Sequence, residues 1–383
     1  MRLALVLDRF DPDRGGLEHW AWQWTQWLLD RGHEVSVIAA EARGGPVRER
    51  FSVHTLGGAP GAAESRFAFA ARVADFLPRA HAEIVDDIGV GWRCDILQPQ
   101  FGTRLADDRR ALASLPFGRR VAARLSSRRR ARLSDIRRLE RRQYAEGGPH
   151  VVAVSRMTRA DLSAAHAIPA SRVSVIHNGV DPARYPPADP AARASARRGL
   201  GLDGGLLLLF VGHNFRLKGL DTVLRAMARL RRADLRLFVV GRGPVAAYER
   251  LARKLGLASQ VAFSGWLPEI RTAYAAADAF VQPTFYDPCS LVALEAAASG
   301  LPVLTSRFNG AAELFRDGES AWILADSADD RAAADRIEAW FNPACRRAMA
   351  RAALAVARSA THDRCFTELL ALCRRTIQSR RAA

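Results

Sequence analysis

Asp287 and Glu295 stand eight positions apart in the stretch FYDPCSLVALEAAASGLPV, residues 285–303. Pro288 restrains the chain directly after the first carboxylate, and Ser290 is placed to cap a helix running to Ser299. Gly300 closes that helix, and Pro302-Val303-Leu304 opens a short apolar strand. One carboxylate therefore falls on the loop before a helix, the other on the helix, with its first free amides between them. Those amides and the positive end of the dipole suit a phosphate group. Two flanking carboxylates accept hydrogen bonds from sugar hydroxyls on either side of a diphosphate, which is the chemistry of a nucleotide-sugar site. The plainer alternative is an amphipathic helix with one surface Glu after a loop Asp, so the rest of the chain decides.

The elements around this stretch alternate. Leu3–Leu7 reads as a strand, DRFDPDRGG as a loop, Leu17–Arg31 as a helix and His33–Ala39 as a second strand. Trp20, Trp24 and Trp27 share one face of the helix, which marks them as core. Gly15-Gly16 lies in the turn at the carboxyl edge, where a backbone without side chains lets a substrate come close. Strands are expected at Phe51–Leu56, Glu83–Ile88, Asp95–Leu97, Val151–Val154 and Val173–Ile176, with helices between them. That alternation predicts a parallel sheet covered on both faces. Pro186-Pro187 and the Ala/Arg/Pro-rich run to Gly199 read as a linker. A second series follows: strands at Leu206–Val211, Leu235–Val240, Val261–Phe263, Ala279–Gln282, Val303–Thr305 and Ala321–Leu324, with a helix at Leu220–Leu230 after the loop GHNFRLKG.

At 383 residues the chain is long enough for two domains, and a 49% apolar content excludes disordered and fibrous classes. A formal charge of +17 calls for anionic company such as nucleic acid, phospholipid headgroups or phosphorylated substrates. Cys94, Cys289, Cys345, Cys365 and Cys373 show no CxxC spacing, so neither a disulfide framework nor a zinc site is expected. MRLALVLDRF is too short in its apolar run for a signal peptide, and the run at Leu206–Gly212 is strand-sized. A cytoplasmic protein is expected, peripheral on the inner face of the cytoplasmic membrane.

The Asp287–Glu295 stretch resembles the acidic-x7-Glu signature of retaining glycosyltransferases of family four, which have the GT-B fold. The first acid there is usually Glu; here it is Asp287, and Cys289-Ser290 stands in place of the common Phe-Gly. The opening GGLEHWAWQWTQWLLDRGHEVSVIAA and the segment VIHNGVD (175–181) are similar to the same family. The resemblance implies an α/β fold of two Rossmann-like domains facing across a cleft. Residues 1–187 would bind the acceptor, with the C-terminal helix 363–383 packing back on them, and residues 200–362 would bind the nucleotide sugar. Lys218 and Arg216 would neutralise the donor diphosphate, with Gly212-His213 in place of the usual Gly-Arg. Asp287 would hold hydroxyls of the donor sugar, Glu295 the ribose diol, and the amides around Ser290, Leu291 and Val292 the phosphate. The arrangement is most like the lipopolysaccharide core glucosyltransferase I group, implying transfer of a hexose, glucose first, from a UDP-sugar to a glycolipid. On the acceptor side, family members often carry a His or Asp after the fourth or fifth strand. In VGWRCDILQPQFGTR the acidic candidate is Asp95, and Gln100 stands where relatives carry His. His81, His150 and His166 read as structural or exposed. No metal and no cofactor beyond the donor co-substrate are implied, because Asp11-x-Asp13 lies before the glycine turn.

The stretch Arg104–Arg142 holds a dense series of arginines interleaved with Leu112, Leu115, Phe117, Val121 and Leu125. It is expected to meet an anionic membrane surface or a phosphorylated lipid. A basic nucleic-acid-binding protein is one rival, but no helix-turn-helix, zinc or aromatic RNA-binding motif accompanies the arginines, so no nucleic acid is expected. A UDP-sugar epimerase with the GT-B fold is the other.

Overall fold

The computed structural model describes residues 1–45, 48–58, 65–202 and 204–382. The chain divides into two compact units, Met1–His177 with Asp363–Ala383, and Asn178–His362.

The first unit is built on a seven-stranded sheet whose recorded pairings are all parallel, in the order β3-β2-β1-β4-β5-β6-β7. Its strands are β1 (Arg2–Phe10), β2 (Glu34–Ala42), β3 (Phe51–Thr55), β4 (Ile84–Asp87), β5 (Ile96–Leu97), β6 (His150–Ala153) and β7 (Val173–Val175). The helices are α1 (Gly16–Asp30), α2 (Arg66–Phe76), α3 (Arg104–Ala113), α4 (Phe117–Leu125), α5 (Ser127–Gln143) and α6 (Arg156–His166). The tryptophan face of α1 does form core. Trp20 and Trp24 are buried, and Phe366 of the last helix, His362–Ala382, packs its ring at 5.1–5.9 Å from Trp20, Trp24 and Trp27.

The second unit carries a parallel six-stranded sheet, order β10-β9-β8-β11-β12-β13. Residues expected to be a linker form α7 (Pro190–Leu200) instead. Asp189 accepts the amide of Ala192 as N-cap and Pro190 occupies the first turn, so the Ala/Arg run is a capped helix. Arg197 anchors it, donating to the Ala276 carbonyl at 2.8 Å and to Asp278 at 2.5 Å. Then follow β8 (Leu206–Val211), α8 (Leu220–Leu230), β9 (Leu235–Val240), α9 (Val245–Lys254), β10 (Val261–Gly265), α10 (Arg271–Ala276), β11 (Ala279–Val281), α11 (Leu291–Ala298), β12 (Val303–Ser306), β13 (Ala321–Leu324), α12 (Asp330–Ala339) and α13 (Pro343–Ser359). Every residue of β8 is buried, as a central strand covered on both faces requires.

Both sheets are doubly wound. The strand order reverses beside β1 and β4 in the first unit and beside β8 and β11 in the second. Ligands of open parallel sheets bind in the crevice outside the carboxyl ends at such a reversal. In the second unit, the loop after β8 and the loop after β11 meet there.

Candidate donor site at the second sheet's switch point

Backbone and buried side chains lock the two loops together. Phe285 N–H donates to the Leu217 carbonyl at 2.7 Å, and Thr284 Oγ1 donates to the same oxygen at 3.1 Å. Gln282 closes the joint from below, its Nε2 donating to the Val211 carbonyl while its Oε1 accepts from Ser290 Oγ. Gly219, at φ 84°, passes so close to Pro283 that a Cβ would lie 2.2 Å from its carbonyl oxygen, so only glycine fits.

This joint brings Lys218 to Asp287, Nζ to Oδ2 at 2.5 Å. Asp287 is held at both ends: its N–H donates to the Phe308 carbonyl, and its own carbonyl accepts from Gly310 N–H. Asn309 Oδ1 accepts the amides of Ser290 and Ala311. Ser290 is the N-cap by position, yet its hydroxyl is turned to Gln282, and no side chain caps the first amides of α11. The helix begins after Ser290 as expected and ends one residue short of Ser299, and Gly300 follows at φ 73°. Leu291 and Val292 form its first turn.

Arg216 takes a different course. Its Nη1 lies 3.2 Å from Asp221 Oδ2 in the first turn of α8, and Tyr248 donates to the other oxygen of Asp221 at 2.5 Å. His213, at the end of β8, accepts the Arg242 amide at Nδ1, 3.2 Å. Burial holds its pKa below the usual range, helped by the charges of Arg242 and Lys218. A neutral imidazole thus stands near the lysine. Further along α11, Glu295 accepts from Tyr274 Oη at Oε2, 2.8 Å. Burial raises the Glu295 pKa, against the lowering effect of the Tyr274 and Tyr185 hydroxyls and the charge of Arg184. Neither tyrosine nor His213 was among the residues expected from sequence to act here. Tyr274 lies on α10 and Tyr185 just before the run read as linker, so only the packing discloses them.

In the first unit Gly15 and Gly16 open α1 as expected, with Gly15 extended at the N-cap and no side-chain cap. A Cβ on Gly15 would stand 3.0 Å from Glu18 Oε2, so a carboxylate overlies the turn. The structure does not bring Asp95 to this edge. It precedes β5, at the amino end of the sheet, where it accepts the Val85 amide at 2.8 Å and pairs with Arg380 at 2.6 Å. Its carboxylate is engaged in holding the last helix. Two acids at the end of β4 lie at the carboxyl edge instead. Asp86 accepts from Trp24 Nε1 and Gln98 Nε2, and Asp87 from the amides of Val90 and Gly91. Burial raises their pKa values to about 6 and about 7, opposed by those hydrogen bonds. The sequence signal, two acids ending an apolar strand, was there to read. His166 is structural, 3.1 Å from buried Glu140, and His150 bonds to Ser174. Among the described residues no cluster of three or more His, Cys, Asp or Glu is placed to hold a metal ion.

The chain matches two family models, Glycosyltransferase Family 4 over residues 14–184 and Glycosyl transferases group 1 over residues 193–354. A D-inositol 3-phosphate glycosyltransferase of Acidothermus cellulolyticus is 35% identical over 227 residues, 55% of this chain and 50% of that protein. A GDP-mannose-dependent alpha-(1-6)-phosphatidylinositol monomannoside mannosyltransferase of Mycolicibacterium smegmatis is 32% identical over 201 residues, 49% of this chain and 52% of that one. The chain spans about half the length of these curated relatives. Among solved structures, WaaG, a glycosyltransferase involved in lipopolysaccharide biosynthesis, superposes with a TM-score of 0.80 at 24% identity, covering 97% of this chain and 99% of WaaG. Anabaena HepE in complex with UDP and glucose gives 0.73 at 18% identity over 96% and 98%. With one family model on each sheet and the same two-sheet architecture, the chain belongs to the group 1, family 4 glycosyltransferases of the GT-B fold.

Proposed function

We propose that this protein is a retaining glycosyltransferase that moves a hexose from a nucleotide-diphosphate sugar to an anionic glycolipid. The single observation that carries the reading is the Lys218–Asp287 pair beside the uncapped start of α11, at the sheet's switch point. Lys218 would meet the donor diphosphate and offset the charge that grows as the leaving group departs, a role that stabilises the transition state more than the ground state. Asp287, released from Lys218 by the incoming phosphates, would accept from hydroxyls of the donor sugar. The first amides of α11, from Ser290 through Val292, would meet a phosphate. Glu295 would hold the ribose diol. Arg216 would turn from Asp221 to the second phosphate. A divalent metal is not needed if these groups carry the charge. Gly15 and Gly16 would let a ligand approach the first unit's backbone. For the rival epimerase reading, which needs a carboxylate or His acting as acid and base, the candidate around Lys218 without a role in transfer is His213.

UDP-glucose is the first donor to try and lipopolysaccharide core the first acceptor. The names of the relatives favour a second acceptor class, phosphorylated inositol or phosphatidylinositol. Both classes are anionic, which suits a chain of net charge +17. Incubating the protein with a panel of UDP- and GDP-sugars and both acceptor classes, with mass spectrometry of the products, tests the reading. Transfer of one hexose supports it; release of free sugar or an epimerised donor without transfer sinks it.

The acceptor's membrane would be met through the arginine-rich helices. Phe117, Val121 and Leu125 recur every four residues along one face of α4 and are 80%, 41% and 71% exposed. Arg119, Arg124 and Arg128 flank them and are exposed. An apolar stripe beside cationic side chains lies down at an anionic lipid interface, with about 1 kcal/mol from each basic residue near the surface. No helix among the described residues is long and apolar enough to cross a membrane.

A further inference from the structure

Glu295 occupies an unusual position for a side chain that must reach a ligand. It lies on α11, whose neighbours Ala293, Leu294, Ala296, Ala297 and Ala298 are buried. A carboxylate in such surroundings is driven toward its neutral form, because burial removes the water that solvates its charge. As a neutral acid it would offer one donor and fewer acceptor sites, and would lose the charge that makes two hydrogen bonds from a vicinal diol strong.

Two phenols answer this problem. Tyr274 Oη donates to Glu295 Oε2 at 2.8 Å and also lies 3.3 Å from the Val292 carbonyl, so it ties the carboxylate to the first turn of α11. Tyr185 also acts on Glu295, favouring its ionised form. The two rings meet edge to face, 5.8 Å between centroids and 86° between planes. Both are buried, at 1% and 5% exposure. Both phenols are held un-ionised: burial and the Glu295 charge raise both pKa values, outweighing the lowering effect of Arg184 on Tyr185. The segment bearing Tyr185 is itself seated in the second unit, for Pro187 lies against Gly300, where a Cβ would come within 3.1 Å of its ring.

We infer that Tyr185 and Tyr274 are positioning residues for Glu295: Tyr274 holds its carboxylate and Tyr185 packs on Tyr274, so that the remaining lone pairs of the carboxylate face the two hydroxyls of a ribose. The inference rests on the proposed role of Glu295 at the donor's ribose. Besides the two phenols, the charged groups that act on Glu295 are Arg184, which favours its ionised form, and, through Tyr185, Glu269, which is paired with Arg271.

The test uses Tyr274→Phe, Tyr185→Phe and Glu295→Gln in the full chain, with calorimetric affinities for UDP and 2′-deoxy-UDP, and for GDP and 2′-deoxy-GDP. In the wild type the ribonucleotide of the accepted base binds about tenfold more tightly than its 2′-deoxy counterpart, the gap expected for one charge-assisted hydrogen bond. Each Phe variant shrinks that gap to a few-fold. It also moves the acid limb of ribonucleotide affinity to higher pH, because the carboxylate then protonates more readily. Loss of packing alone would change both nucleotides equally and leave the acid limb where it was. If Glu295→Gln keeps the full gap, the ribose role falls, and this inference with it. If Glu295→Gln abolishes the gap while both Phe variants keep it and the wild-type acid limb, the ribose role stands and the tyrosine inference is overturned. Melting temperatures of the three variants, read alongside, identify any that fail to fold; the Phe variant that remains folded then decides.

Discussion

Lys218 and Asp287 are 69 positions apart in sequence, yet their charged atoms lie 2.5 Å apart. They come from loops that leave different strands, β8 and β11, which are neighbours in the sheet because the order reverses between them. At that separation each neutralises the other. A diphosphate arriving at the start of α11 would compete with Asp287 for the lysine and free the carboxylate for sugar hydroxyls.

Lys218→Ala is expected to lower kcat by about a hundredfold or more and to weaken nucleoside diphosphate binding, since both the bound phosphates and the departing one lose their counter-charge. Steady-state kinetics and calorimetry on one preparation check it. Wild-type turnover would remove Lys218 from the site.

Chelation gives an independent check on how the leaving group is neutralised. If Lys218, Arg216 and the amides of α11 carry the charge, excess EDTA leaves transfer intact. Inactivation by EDTA that manganese or magnesium reverses would show the charge to be carried by a bound cation.

Membrane attachment is tested by replacing Arg119, Arg124, Arg128 and Arg132 with Gln, all exposed. Arg129 is left alone, because it pairs with buried Asp108 and its loss would strand that carboxylate. Sedimentation with vesicles containing anionic lipid should fall in the variant, and in the wild type as salt rises, since screening acts beyond about 8 Å at physiological ionic strength. Affinity for UDP should stay unchanged. Sedimentation equal to wild type would end the membrane reading, and duplex DNA binding lost in the same variant would turn it toward nucleic acid.

Asp86 and Asp87 predict a pH dependence of stability in the first unit. Their folded pKa values, about 6 and about 7, exceed the ordinary value of about 3.9 for an unfolded Asp. The folded state therefore binds protons that the unfolded chain does not. The stability linked to them is fully present below about pH 4 and is lost as pH rises to about 7. Asp86→Asn removes one of these titrations, and a half-turn of the Gln98 amide restores its hydrogen bond. Relative to the wild type, the variant should be most stable near pH 8 and lose that advantage toward pH 5. Parallel melting curves across that range would contradict the assignment.

Much of this architecture is legible in the sequence because it depends on local patterns. The apolar runs Leu206–Val211, Leu235–Val240 and Ala321–Leu324 coincide with strands end to end, and so does the helix Leu220–Leu230. Central strands of a parallel sheet are buried on both faces, so composition alone marks them. Asp287, Glu295 and Lys218 were also legible, since each stands at a fixed distance from a strand end or a helix start. The rest is set by packing between elements. No local rule turns the Ser290 hydroxyl toward Gln282, sends Arg216 to Asp221, or engages Asp95 with Arg380, because each partner arrives from another element. Tyr185 and Tyr274 are 89 positions apart and acquire a shared carboxylate only when the sheet closes. What residue types and spacing determined is which groups stand at the carboxyl edge; which of them meet, and in what charge state, was decided by packing, through burial and the partners it supplies.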